Sequence, residues 1–365
     1  MQNLIASSTS ATEEARRVMQ TCNACRYCEG LCATFQAMTI RRDFASTDLD
    51  YLANLCHNCT ACYHDCQFAP PHDFAINVPA ALADLRLQSY QQHAWPESLS
   101  KAFNRNALWT AAVTTLSITI SLLLAFLLIS SETMFGVHQG PGAFYQVIGH
   151  SLMIAIAGMT FGFSLLAIGI SFARFWKTHV KPSADSTHLT AALRNSVTLR
   201  YLDGGHGQGC SSVDDQASNL RRYYHHCTMW GFLLCFGATC IATFYDYVLG
   251  IQAPYPYFSL PVVVGTLGGL GLLVGPVGLV WNKFRSHSDT TRHQDMDLAF
   301  LASLFLVSLT GLILLIFRET AAMGVLLIIH LGFVLGFFLM LPYSKFVHGF
   351  YRYAALVRFA SEEAR

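Results

Sequence analysis

The chain has 365 residues, of which 53% are hydrophobic and only 12% charged, a balance that excludes an ordinary soluble globular protein. Its 23 basic and 22 acidic residues leave a formal net charge of +1, which gives no reason to expect a nucleic-acid partner. Neither a nucleotide-binding motif nor a paired acid/base carboxylate set stands out, so substrate chemistry is expected to reside on another protein.

Residues 1–20 read as a polar lead-in. Glu13, Glu14, Arg16 and Arg17 interrupt it and it has no apolar core, so no signal peptide is expected ahead of the first cysteine. Cysteines then dominate. Cys22, Cys25, Cys28 and Cys32 form a C-x₂-C-x₂-C-x₃-C run, and Cys56, Cys59, Cys62 and Cys66 repeat it. This is the spacing by which bacterial-type ferredoxins hold [4Fe–4S] cubes. Two-residue gaps let three thiolates converge on one cube, while the fourth reaches the other. The expected sets are therefore Cys22, Cys25, Cys28 with Cys66, and Cys56, Cys59, Cys62 with Cys32. Disulfides are disfavoured on a segment expected in the reducing cytoplasm. Structural zinc uses paired C-x₂-C motifs rather than a repeated triplet. No proline directly follows Cys32 or Cys66, a departure from the ferredoxin pattern, although Pro70 and Pro71 lie close behind.

The cluster core is assigned to residues 21–72 of a head spanning 1–107, with 73–107 expected as a helix packing that head onto a membrane. Uncharged apolar runs then recur at 108–130, 147–173, 227–249, 259–281, 298–317 and 323–343. Each is long enough to cross a hydrocarbon layer ~30 Å thick. The predicted architecture is mainly α: a ferredoxin-like head with two clusters, a six-helix transmembrane bundle over 108–348, and a tail over 349–365. The long connection 177–222 contains a glycine-dense turn from Gly204 to Cys210, expected as an inner cap; it lacks the strand and Lys-Ser/Thr of a phosphate loop. Glycines 265, 268, 269, 271, 275 and 278 are expected to permit close helix packing.

Orientation follows from the short loops. Lys and Arg concentrate in 174–222, 282–297 and 344–365, whereas the opposite loops carry only Arg318. Both termini and the head are thus expected in the cytoplasm, with the bundle in a bacterial inner membrane.

Five histidines lie in or beside the spans: His150, His225, His226, His330 and His348. An ionisable side chain in a span is costly and needs a specific partner. Beside iron–sulfur clusters, haem iron is the natural one. His330 and His348 are eighteen residues apart, five turns of one helix if Pro342 allows it, and ~27 Å apart at 1.5 Å per residue, too far to share an iron. Depth pairs His226 with His348 at the inner side and His150 with His330 at the outer side. His225 competes with His226, and Arg221 and Arg222 are candidate contacts for haem propionates. One haem with two polar core histidines remains the alternative to two haems.

The segment from His330 through Leu341-Pro342-Tyr343-Ser344-Lys345 to His348 resembles the last helix of the cytochrome b gamma subunit of respiratory nitrate reductase. A like helix there carries two haem-ligating histidines. That family also places two histidines ten apart on another helix; here His226 is followed ten residues later by Phe236, which alters the second site. Over nearly its whole length the chain is similar to the tricarballylate and citrate utilization protein B family. The likeness is carried by both cysteine runs, the Gly204–Cys210 loop, Arg221-Arg222-Tyr223-Tyr224-His225-His226, and Gly231 to Phe236. The resemblance implies an electron-transfer subunit with two [4Fe–4S] clusters and haem b. It would reoxidise the flavin of an FAD-dependent tricarballylate dehydrogenase-like partner and reduce membrane quinone. Two other roles are weighed against it: the membrane anchor of a heterodisulfide- or succinate-dehydrogenase-like complex, and a redox-sensing membrane protein.

Overall fold

The computed structural model describes residues 2–180, 185–205, 207, 209–210, 217–285 and 293–364, with side chains from residue 10 onward. Lys181, Arg292 and Arg365 of the basic loops, and His206 and Gln208 of the glycine-dense turn, lie outside those residues.

The structure is mainly α, and no named strand occurs among the described residues. A head is built from α1 (Gln2–Cys25), α2 (Ala33–Thr39), α3 (Ser46–Leu55), the single turn α4 (Ala61–His64) and α5 (Val78–His93). The stretch expected as a polar lead-in is therefore the body of α1, which buries Ala15, Val18 and Met19 in the head core. Helix α5 starts where Asn77 Oδ1 accepts from Ala80 N–H at 3.1 Å and Pro79 occupies the first turn, where its missing N–H costs nothing. Its buried residues face α1 and α3 on one side and the membrane helices on the other; it covers 78–93 of the stretch expected as one helix over 73–107, and a separate 3₁₀ turn follows over Glu97–Phe103.

Among the described residues six helices are long and apolar enough to cross a membrane: α6 (Asn106–Leu128), α9 (His150–His179), α11 (Leu220–Tyr247), α12 (Leu260–Phe284), α13 (Gln294–Phe317) and α14 (Met323–Met340), the last span running on to Tyr343. They match the six expected runs. Short helices α7 (Ser131–Met134) and α8 (Ala143–Val147) lie between the first two spans, and α10 (Ser186–Val197) lies between the second and third. Large apolar side chains on the spans face outward, among them Leu116, Leu127, Met159, Leu267 and Trp281. Water does not tolerate so extensive an apolar surface, whereas hydrocarbon does.

The glycines of α12 do what their pattern suggested. A Cβ on Gly275 would sit 2.4 Å from Thr228 Oγ1 and 2.6 Å from Thr228 N, and one on Gly278 would sit 2.2 Å from the Tyr224 ring. Helices α11 and α12 touch backbone to backbone because those positions have no side chain. The outer-loop Arg318 is buried, donating to Tyr255 O at 2.6 Å and lying 3.8 Å over the Tyr257 ring.

Two features depart from the sequence reading. The last span and the residues after it do not form one straight helix. Pro342 lacks the N–H that would continue α14, and Ser344 is extended (φ −116°, ψ −178°), so 3₁₀ turns separate α14 from α15 (His348–Glu363). The five-turn register between His330 and His348 is consequently lost. Secondly, the segment expected as a tail over 349–365 is helical as far as Glu363. Helix α15 returns into the head and buries Ala355, Leu356, Val357 and Phe359 among residues of α1, α2 and α3. Polar contacts lock it there: Glu362 accepts from Arg41 at 2.7 Å and Arg358 at 2.9 Å, Arg358 also pairs with Asp48, and Tyr51 lies between both guanidinium groups.

Candidate redox centres at the head and membrane junction

The two cysteine runs are presented differently. The first begins inside the last turns of α1, which carries Cys22 and Cys25; the second follows the end of α3. In both, the residue after the second cysteine adopts the left-handed conformation: Arg26 at φ 58° and Thr60 at φ 67°. A non-glycine residue there is strained, and it reverses the chain so that the third cysteine turns back toward the first two.

The eight sulfurs divide into two groups. Cys22, Cys25, Cys28 and Cys66 line one cavity, with Tyr27, Phe35, Phe68 and Ile76. Cys32, Cys56, Cys59 and Cys62 line the other, also bordered by Phe35. Among the described residues no three His, Cys, Asp or Glu groups converge tightly enough to hold a single metal ion. Four thiols ringing an open space fit a polynuclear cluster better than one ion. Burial, with neighbouring thiolates adding to it, pushes the Cys22, Cys28 and Cys32 thiols up to about 12, so each set can sit fully ionised only around a cationic centre. The donor set and the cavities thus suit iron–sulfur clusters.

The second cavity lies against the membrane part. Arg352 of α15 donates to the carbonyls of Cys56 and, at 3.5 Å, Asn54, and it also contacts His57 Nδ1. Arg86 donates to Ala53 O at 2.8 Å and Arg221 to Asn58 O at 3.1 Å. Three arginines from three helices therefore clamp the backbone that carries Cys56, and Asn58 N–H approaches Cys56 Sγ at 3.4 Å. His57 sits among Arg352, His225 and His348; burial first, and then the Arg352 guanidinium, hold its imidazole well below the usual range, so it is neutral.

Of the two adjacent histidines on α11, His225 is the one that faces His348, their ring centres 6.1 Å apart. His226 lies instead toward Arg222 and Thr198. The expected pairing of His226 with His348 is therefore not what the structure brings together. His348 Nδ1 bonds Lys345 O at 2.5 Å, which leaves Nε2 free to coordinate. Burial first, then Lys345 and Arg352, keep His348 neutral. Lys345 also pairs with Asp297 at 2.8 Å, as does Lys283 at 2.5 Å. Arg221 and Arg222 spend donors on backbone carbonyls, Arg222 on Thr198 O at 2.8 Å.

The outer pair is not brought together either. His150 Nε2 lies 2.8 Å from Asp246 Oδ2, with the Tyr145 ring 4.4 Å away. His330 Nδ1 bonds Thr310 Oγ1 at 3.0 Å and packs over Gly311. Sequence reasoning overlooked Arg352 and Cys210 at this junction. Arg352 was hidden by the assignment of its segment to a tail. Cys210 carried one signal, a cysteine outside the spans that closes a glycine-dense turn.

Residues 15–92 match the family described as citrate utilization protein B Fer4-like domain, and residues 105–365 match citrate utilization protein B. The chain is 50% identical over 366 residues to the citrate utilization protein B of Escherichia coli, covering 98% of this chain and 94% of that one. No solved structure matches it.

Proposed function

Since the chain belongs to the citrate utilization protein B family, with an iron–sulfur type head ahead of six apolar helices, we propose that it is a quinone-reducing electron-transfer subunit of the bacterial inner membrane. Its donor would be the reduced flavin of a separate FAD-dependent dehydrogenase acting on a tricarballylate-like tricarboxylate. The observation that carries this reading is the arrangement at the junction. One cysteine set opens outward, with Cys25 and Tyr27 exposed, while the other is wedged against His57, His225 and His348 at the inner end of the bundle.

Two [4Fe–4S] clusters and haem b, when bound, would supply the one-electron carriers between a two-electron flavin and a two-electron quinone. The chain's own part is positional. Cys22, Cys25, Cys28 and Cys66 would hold the donor-facing cluster, and Cys32, Cys56, Cys59 and Cys62 the membrane-facing one. His225 and His348 are the better inner haem ligands than His226 and His348. These are the two inner histidines whose rings the fold brings to 6.1 Å of each other, and they would hold the haem iron from α11 and the start of α15. Arg86, Arg221 and Arg352 fix the cluster loop and put positive charge beside it, which favours accepting an electron. Lys283, Asp297 and Lys345 form a partly buried ionic group that, with the head in the cytoplasm, is suited to delivering protons to a quinone. With the head in the cytoplasm, as the basic loops suggest, a soluble flavoprotein has direct access.

The test uses membranes containing the chain, with the partner flavoprotein and its substrate added. Substrate should reduce haem b, and a quinone analogue should reoxidise it. Haem that stays oxidised while substrate is consumed would refute the relay.

A further inference from the structure

The loop between the second and third spans reaches out of the membrane part into the head. Leu199 and Leu202 pack with Ala61 and Cys210, and Cys59 adjoins this group. Gly205, at φ +80°, lies flat on the first cysteine run: a Cβ there would stand 2.0 Å from the Gly30 carbonyl oxygen. Gly209 N–H donates to Asp203 O at 2.9 Å, and Cys210 then bridges Ser218 through backbone bonds of 3.3 and 3.2 Å. One loop thus touches both cysteine runs. It delivers Cys210, buried, as a fifth cysteine lining the cavity of Cys32, Cys56, Cys59 and Cys62, in the same packed group as Cys59.

A [4Fe–4S] cube takes one protein thiolate per iron, so a fifth cysteine in the cavity is surplus to ligation. It is too well placed to be filler. Its backbone is fixed by the Gly209 turn and by the bridge to Ser218, and it lines the same cavity as the four proposed ligands. From this juxtaposition we infer that Cys210 is a positioning residue for the membrane-facing cluster: its S–H donates to the Cys59 sulfur and raises that cluster's reduction potential. The inference rests on the cluster reading above. The physics is direct. Reduction adds negative charge that spreads onto the ligand sulfurs, so a donor aimed at one of them stabilises the reduced form more than the oxidised form. Asn58 N–H, 3.4 Å from Cys56 Sγ, acts in the same sense. Together they would make the membrane-facing cluster the better electron acceptor of the two, which favours transfer from the exposed cluster toward the bundle. The donor also arrives from the membrane part's own loop, so the potential depends on the head being correctly seated on the bundle.

The test is a redox titration of the purified full chain followed by paramagnetic resonance, with iron and sulfide counted in each sample. Comparison with Cys66→Ser, which removes a ligand from the other set, assigns the signals. Cys210→Ala should keep both clusters and lower the membrane-facing midpoint by about 59 mV, a tenfold drop in the reduced-to-oxidised ratio at fixed ambient potential for a one-electron couple. Cys210→Ser, whose hydroxyl still donates, should recover at least half of that shift. An unchanged midpoint in Cys210→Ala at full iron content would overturn the inference. So would equal cluster loss in the Ala and Ser variants with the remaining clusters at the wild-type potential, since that is what a merely structural cysteine would produce. Wild-type protein lacking iron and sulfide would instead overturn the cluster reading itself.

Discussion

Removing the Glu362 carboxylate tests whether α15 is a working part of the head. Glu362 accepts from Arg41 at 2.7 Å and Arg358 at 2.9 Å, and all three side chains are no more than 10% exposed. The Glu362→Ala variant leaves two guanidinium groups facing each other across Tyr51, with only Asp48 to compensate them. Breaking a buried ion pair by deleting one partner costs about 3–5 kcal/mol. Because Asp48 remains, the low end applies. A loss of about 3 kcal/mol raises the population of the opened head roughly a hundredfold, at 1.4 kcal/mol per factor of ten. The assay is the rate at which an excess of iron chelator bleaches the sulfur-to-iron absorption of the detergent-solubilised chain, which tracks the opened population when closing is fast. Glu362→Ala should bleach about a hundredfold faster, and Glu362→Gln, which keeps a neutral acceptor, should fall between. Acid should mimic the mutation. Burial alone would raise the Glu362 pKa, but Arg41 and Arg358 outweigh it and hold it below the usual range; Asp48 behaves alike, with Arg41 the largest opposing influence. A carboxylate depressed in the folded state adds stability above its unfolded pKa and loses it as pH falls through the folded one, so protection should decline below about pH 4. Bleaching within twofold of wild type in Glu362→Ala would show that α15 does not hold the head closed.

Three further outcomes are expected. Cys66→Ser should damage the cluster held by Cys22, Cys25 and Cys28 and spare the one held by Cys32, Cys56, Cys59 and Cys62; paramagnetic resonance showing the reverse loss would refute the crossed assignment. His225→Ala and His348→Ala should each abolish low-spin haem b absorption after dithionite reduction, whereas His226→Ala should retain it; full low-spin haem in His225→Ala would return the ligand role to His226 or to the outer histidines. Gly275→Val should lower the thermal midpoint of the solubilised bundle, because its side chain would drive into Thr228 and overpacking costs about 1–3 kcal/mol or more; an unchanged midpoint would mean that α11 and α12 are not held in close contact.

What could be read without coordinates depended on whether the signal was local. The cysteine runs are local in spacing, and hydrophobic runs of about twenty residues are local in composition, so the head, the six spans and the glycine seam along α12 follow from their own residues. The choice between His225 and His226 is different in kind. Adjacent residues on a helix point about 100° apart, and depth along the membrane is almost the same for both. Only the rotation of α11 about its axis separates them, and that rotation is fixed by Gly231, Gly268, Gly275 and Gly278 bringing α11 hard against α12. The other half of the pair, His348, is set by the break at Pro342 and Ser344, which uncouples it from His330. Helix α15 escaped recognition for a related reason. Its apolar residues are interleaved with Arg352, Arg358, Glu362 and Glu363, a pattern that reads as a solvated end until α3 is known to supply Asp48 and Tyr51, and the turn after α2 Arg41, as partners. The same chain reversal explains why the cluster loop is so firmly held. Arg352 can reach Cys56 O only because the break after α14 turns α15 back over the head, and Arg221 can reach Asn58 O only because the loop ending at Asn219 starts α11 beneath it. Both membrane-derived clamps close on the run that begins at Cys56, and among the described residues no arginine from the membrane part closes on Cys22, Cys25 or Cys28 in that way. That asymmetry is the physical ground for proposing the second cysteine set, not the first, as the one that would pass electrons to the bundle.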